Sequence, residues 1–214
     1  MKQLALTAAC VAAVLSLSAC KIVKTGGDTD KAPAADASGD DARIAALMTE
    51  TWEPKLIPAI TERALTPAAL RTALAGGLEA AGTAHGKAGS GVGAAWNFAI
   101  AGEGTVTAAK LDTRARVLDV DTDGDGTADL TLQLGPVVKG SALRDFSPFY
   151  DFSGFRDQIE FAKLGRALND AASARLTVPE GDPTGKTVSF TGVLALKSPT
   201  ETWLVTPISV EVMP

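Results

Sequence analysis

The strongest constraint on this fold is a change of hydrophobic period near Trp96. From Trp96 to Asp112, Arg114 to Asp121 and Ala128 to Leu134, apolar side chains favour alternate positions, as in strands that lay one face on a core. Phe155 to Leu176 returns to helical spacing, with Phe161, Leu164, Leu168 and Ala172 on one face. Thr187 to Lys197 and Leu204 to Val212 then alternate again.

Three strands, a helix and two more strands form the element order of the oligonucleotide/oligosaccharide-binding barrel. The expected class is therefore α+β, with N-terminal helices followed by a small antiparallel β-barrel of this OB-like kind. Helical spacing before Trp96 begins over Ala42 to Glu53, where Ile44, Leu47, Met48 and Thr51 line up behind a cap at Asp40 or Asp41. Pro54 and Pro58 are expected to break that helix, leaving another helical piece over Ile57 to Ala64. Thr66 caps a further helix with Pro67 at its first position, and Leu70, Ala73, Leu74 and Leu78 give it one apolar face ending near Gly82. Ala84 to Gly93 reads as a glycine-rich loop.

The N-terminus carries an address. Lys2 is followed by an apolar run, Leu4 to Ser18, and by the junction Leu17-Ser18-Ala19-Cys20. A basic start, a short apolar stretch and small residues at a cut mark a secretory signal. Leu-Ser-Ala-Cys resembles the lipobox, in which the cysteine is acylated before cleavage, so Cys20 is the expected lipidation site with three acyl chains. Lys21 stands where Asp would retain such a protein at the inner membrane of enteric bacteria, which favours the outer membrane's periplasmic face. The expected organisation is a signal peptide over 1–19, a lipidated flexible tether over 20–41 and one periplasmic domain over 42–214. Within that domain 42–83 is helical and 94–214 is β-rich. Removal of Cys10 and acylation of Cys20 leave no thiol for a disulfide, a metal or catalysis. Loss of Lys2 takes the formal charge from −5 to about −6, which argues against nucleic acid as a partner.

The sharpest local motif is Asp119-Val-Asp121-Thr-Asp123-Gly-Asp125-Gly-Thr127-Ala-Asp129. With Asp121 first, Asp123, Asp125 and Asp129 fall at the third, fifth and ninth positions of a calcium loop, and Thr127 offers a carbonyl at the seventh. The twelfth position is Leu132, so the bidentate glutamate is missing and the strand-like flanks are wrong for a helix–loop–helix. A hairpin tip built from Asp and Gly is the competing reading. Five carboxylates in eleven residues are expected to raise one another's pKa unless a cation neutralises them. Any Ca²⁺ here would be structural.

Other candidates are weaker. Lys139, Arg144 and Asp145 follow the third strand, Gln158 and Asn169 lie in the helix after it, and beside Phe149, Tyr150 and Phe152 they form a possible contact surface for a polar ligand or partner. A solvated helix face with structural ion pairs explains the same residues. His85 has no local catalytic signature, and one histidine without a free cysteine makes no zinc set. Glu103, between Gly102 and Gly104, reads as a bend in a strand. Paired carboxylates such as Asp157 and Glu160 could serve glycan hydrolysis, but such pairs are common on solvated helices. Trp52, Trp96 and Trp203 lie in apolar patterns that favour core packing over sugar stacking.

The segments CKIVKT, WEPKLIPAI, WNFAIAGEGTV, DVDTDGDGTAD, LGPVVKGSALRD, FRDQIEFAKLGRALND and VSFTGVLAL together resemble a bacterial family of predicted periplasmic lipoproteins classed as a domain of unknown function. The resemblance spans nearly the whole mature chain. It implies no enzyme activity and no catalytic residues. It also implies an accessory or binding role beside sugar ABC-transport components or a carbohydrate. A structural envelope protein mediating protein–protein contacts is the alternative.

Overall fold

A computed structural model describes residues 32–89 and 93–213 of the chain. The expected signal peptide, Cys20, Lys21 and most of the tether lie outside the described residues. The elements below all belong to the unit Pro33–Pro214.

Helix α1 (Asp40–Thr51) begins two residues earlier than its apolar spacing suggests, after a short 3-10 turn capped by the Asp36 side chain. Its continuation is the first departure from expectation. Pro54 does not end the helix. The chain widens into a π turn over Trp52–Leu56 and runs on as α2 (Ile57–Arg63) with Pro58 in its opening turn. A proline ring crowds the carbonyl four residues back and offers no N–H, and a widened turn relieves both. Helices α3 (Pro67–Ala75) and α4 (Leu78–His85) replace the single helix expected to end near Gly82. The break falls at Gly77, whose φ of 101° glycine adopts without steric cost. His85 thus ends a helix, exposed, and the supposed glycine-rich loop contains a two-residue strand β1 (Lys87–Ala88).

The remaining strands are β2 (Trp96–Lys110), β3 (Ala115–Asp121), β4 (Leu130–Pro136), β5 (Thr187–Leu196) and β6 (Trp203–Val212). They close as β2-β3-β4-β6-β5 back to β2, with β1 on the β2 edge, so the barrel has no open seam along β2. All pairings are antiparallel except β4–β6, which is parallel and refines the expected all-antiparallel barrel. Between β4 and β5 come α5 (Ala142–Phe146) and α6 (Gln158–Arg175).

Strand β2 serves two neighbours. It pairs with β5 from Trp96 to Thr105 and with β3 from Thr105 to Lys110. The glycines flanking Glu103 permit the transfer: a Cβ at Gly104 would lie 2.3 Å from the Asp121 carbonyl, and one at Gly102 would lie 2.8 Å from Pro67 Cδ. Glu103 is therefore part of a strand bend, and a bulge follows between Val106 and Ala108.

Alternation along β2 feeds two cores. Phe98 and Ile100 point into the barrel with Leu118, Leu132, Leu194 and Val205, while α3 and α4 close its mouth with Leu70, Leu74 and Ala81. Ala99 faces outward, where α1, α2, α5 and α6 pack Ile60, Phe146, Leu164 and Leu168 on the sheet. Trp52 and Trp203 are core residues, and the Trp96 ring lies against Gly82.

Candidate functional site

The segment after β4 is shaped by its neighbours. Buried Gln133 holds Lys139 by both backbone groups: its Oε1 accepts from the Lys139 amide at 2.8 Å and its Nε2 donates to the Lys139 carbonyl at 3.2 Å. Helix α6 is stitched to the same loop. Asn169 Nδ2 donates to the Gly140 carbonyl at 2.9 Å, and Ser173 Oγ donates to the Leu134 carbonyl at 3.0 Å. Gly135, at φ 71°, is where the chain comes closest, since a Cβ there would strike Ser173.

Arg144 completes the wall. Its guanidinium stacks 3.9 Å from the Phe161 ring centroid, donates to the Phe161 carbonyl at 3.2 Å and to Ser141 Oγ at 3.2 Å, and pairs with Asp145 at 2.8 Å. Between this wall, the loop and α6 lies a groove of about 660 Å³ whose lining includes Arg114, Val137, Arg144, Arg166, Asn169 and Asp170. Three guanidinium groups face one carboxylate there. Arg114 and Arg166 have no side-chain partner among the described residues, and both are exposed. Asn169 is buried, its Nδ2 is committed to Gly140, and its Oδ1 has no hydrogen-bond partner among the described residues.

Arg144, Asp145 and Asn169 are thus brought together as their sequence proximity suggests. Lys139 contributes only its backbone, and Gln158 opens α6 on exposed ground away from the groove. Sequence reasoning missed Arg114, Arg166 and Asp170. The last two carried a signal, since positions 166, 169 and 170 share a helical face; Arg114 precedes β3, the strand paired with β4, and carried none.

The aspartate loop joins β3 to β4. Asp121 accepts from the amides of Asp123 at 3.1 Å, Gly124 at 2.7 Å and Gly126 at 2.8 Å, and the Gly124 and Gly126 bonds hold its carboxyl below the usual range. Burial pushes the Asp129 carboxyl up, but Thr122 and Arg71 outweigh it and the net displacement is downward. Thr122 donates from its amide at 2.6 Å and its hydroxyl at 2.7 Å. The expected mutual raising of these carboxylates therefore does not appear at Asp121 or Asp129. Backbone amides and an arginine from α3 supply the compensation that sequence reasoning assigned to a bound cation.

Asp121, Asp123 and Asp129 bring carboxylate oxygens within 4.8 Å of one another. Those hard oxygens suit calcium by type. Asp125 stands apart, accepting from the Thr127 amide at 2.7 Å, and Leu132 is buried in the barrel. Arg71 also lies 5.5 Å from the Trp203 ring, so the loop, α3 and β6 meet at one guanidinium.

The carboxylates considered for hydrolysis are both engaged. Asp157 caps α6 by accepting from the amides of Ile159 at 2.8 Å and Glu160 at 3.0 Å. Buried Glu160 accepts from Arg43 Nε at 2.7 Å and from the Arg156 amide at 2.7 Å, and Arg43 holds its carboxyl below the usual range.

A search among curated proteins finds no match. Among solved structures, the crystal structure of an OB-fold protein from Thermotoga maritima superposes with a TM-score of 0.58 at 15% identity, covering 81% of this chain and 98% of that one. That likeness establishes the fold, whose strand order and parallel β4–β6 closure are already evident here. The family model described as predicted periplasmic lipoprotein (DUF2291), a domain of unknown function, matches residues 10–211, and the chain belongs to that family.

Proposed function

We propose that this periplasmic lipoprotein is a non-enzymatic binding module, tethered through acylated Cys20 and offering the Arg114–Arg166 groove to a polar, anionic ligand. The observation that carries the proposal is the pair of guanidiniums, unpartnered among the described residues, beside half-buried Arg144 in a concavity of about 660 Å³ with one opposing carboxylate. That volume falls within the range of small-molecule sites. Arginine forks recognise carboxylate and phosphate, so an acidic sugar fits better than a neutral one. An accessory role in carbohydrate uptake beside an ABC transporter would supply such a ligand, and Lys21 after Cys20 favours the outer membrane. Calcium, held by Asp121, Asp123 and Asp129, would stabilise the β3–β4 loop and take no part in binding.

Thermal-shift screening of the mature protein against neutral sugars, uronic acids and sugar phosphates tests the proposal. A specific ligand at about 100 times its Kd adds about 2.7 kcal/mol of stability. Arg114→Ala and Arg166→Ala should each diminish that shift. No response to any acidic sugar, together with detergent sensitivity of a deletion strain, would favour the structural envelope role.

A further inference from the structure

Three of the five large apolar side chains exposed among the described residues fall within eleven positions: Phe149 and Phe152, each 43% exposed, and Ile159, 66% exposed. Local structure keeps them there. Phe152 sits in a 3-10 turn capped by Asp151 and meets Phe161 edge-on with centroids 5.6 Å apart, so its outer face is free. Ile159 is the second residue of α6, just beyond the Asp157 cap. Phe149 walls a hollow shared with Arg43, Ile44 and Leu47 of α1.

This segment is fastened to the place where the chain from Cys20 enters the domain. Arg156 Nη2 pairs with Asp40 at 3.1 Å, and Arg43 joins Glu160 while its guanidinium also donates to the carbonyls of Ala34 and Asp36. The apolar side chains and the N-terminal end of the described domain are therefore neighbours.

We infer that Phe149, Phe152 and Ile159 form a docking face for a zwitterionic phospholipid surface, the membrane that holds Cys20. The inference rests on the reading of Cys20 as the acylated anchor. Thirteen residues, Lys21 to Pro33, join Cys20 to the domain, and no chain of that length can reach beyond about 45 Å. Such a leash keeps the face at an effective concentration near millimolar with respect to the bilayer, so an insertion too weak to matter in free solution becomes populated. Aromatic and aliphatic groups of this kind lodge at the boundary between headgroups and acyl chains. Charge selects the lipid. Asp36, Asp40, Asp41, Asp145, Asp151, Asp157 and Glu160 outnumber Arg43, Lys87, Arg144, Arg156 and Lys163 around the face, which disfavours anionic headgroups.

The test uses the mature lipoprotein in phosphatidylcholine vesicles carrying nitroxide-labelled acyl chains. An environment-sensitive dye is placed at Ile159→Cys, or at Glu201→Cys, which lies in the hollow beside Arg71 and Trp203. Acylated Cys20 does not compete for the label. The dye at 159 should shift to the blue and lose most of its emission to the quencher, while the dye at 201 should keep its emission. Replacing Phe149 and Phe152 together by Ser should restore emission at 159 while the protein still floats with the vesicles. Phosphatidylglycerol vesicles should quench less, and stronger quenching there would overturn the choice of lipid. A chain that floats with its 159 dye unquenched overturns the docking and assigns the face to a protein partner. A chain that does not float overturns the anchor, and the docking with it.

Discussion

Arg71 Nη2 lies 2.8 Å from Asp129 Oδ2, and the same nitrogen lies 2.8 Å from Thr122 Oγ1. A guanidinium delivered by α3 is thereby the counter-ion of a loop that connects two barrel strands. It also ties the helical cap of the barrel to the β3–β4 turn, since Leu70 and Leu74 beside it are core residues.

Removing that counter-ion should uncover the loop's affinity for cations. The wild-type protein, lacking a twelfth-position carboxylate, is expected to bind calcium in the weak range of about 10⁻⁴–10⁻³ M. Arg71→Ala should lower stability by about 1 kcal/mol or less, because the pair is partly exposed. The same variant should show a larger rise of melting temperature on adding calcium, and Asp123→Ala should abolish the rise. A melting temperature indifferent to calcium in both proteins would leave the loop as a hairpin tip held by its own amides.

Acid should loosen the tether-proximal face. The Asp40 carboxyl is held below its ordinary range chiefly by Arg156, and that of Glu160 chiefly by Arg43. Groups with depressed folded-state pKa values contribute stability above their unfolded values, and that stability is lost as pH falls through the folded values. The loss should begin near pH 4 and deepen below it. Urea midpoints measured between pH 7 and pH 3 should fall accordingly, and Glu160→Gln should flatten the fall. An unchanged slope in that variant would remove the Arg43 pair from the acid response.

Gly104 should tolerate no side chain. A Cβ there meets backbone, the Asp121 carbonyl at 2.3 Å, and Val120 Cγ1 at 2.6 Å, so neither neighbour can simply rotate away. Overpacking of this kind costs about 1–3 kcal/mol. Gly104→Ala should lower the melting temperature by several degrees, whereas Gly154→Ala, where a Cβ meets nothing within 4 Å, should change it little. Equal melting temperatures would mean that β2 does not need its bend.

The barrel was legible because strand periodicity and element order are local properties: Phe98, Ile100, Leu118 and Leu132 declare inward positions by alternation alone. The helices were less so. Pro54 reads as a break, yet a π turn absorbs it, because packing of Trp52 and Leu56 in the outer core favours continuation. Gly76-Gly77, which divides α3 from α4, is a plain stop signal that four apolar residues on one face obscured. Long-range partnerships were invisible. Arg71 lies 51 residues from Thr122, and nothing near either predicts the contact. Arg114 reaches the groove only because β3 and β4 pair beside it.

Arg144 and Arg166 should fail differently, which separates support of the groove from contact within it. Arg144, with 16% of its side chain exposed, binds Ser141, Asp145 and the Phe161 carbonyl while stacking on the Phe161 ring. Deleting a hydrogen-bonded charge of this kind costs about 1.5–3 kcal/mol, with the lost ring contact in addition. Among the residues of the possible contact surface, Arg144 is bonded as a support of the loop. Arg144→Ala should therefore lower the melting temperature with or without ligand. Arg166 is exposed and unpartnered among the described residues, so Arg166→Ala should leave the melting temperature nearly unchanged. If the groove binds an acidic sugar, Arg166→Ala should still reproduce the growth defect of a deletion strain on that carbohydrate. Full growth with Arg166→Ala and Arg114→Ala combined, in a protein present at normal levels, would remove the groove from the function.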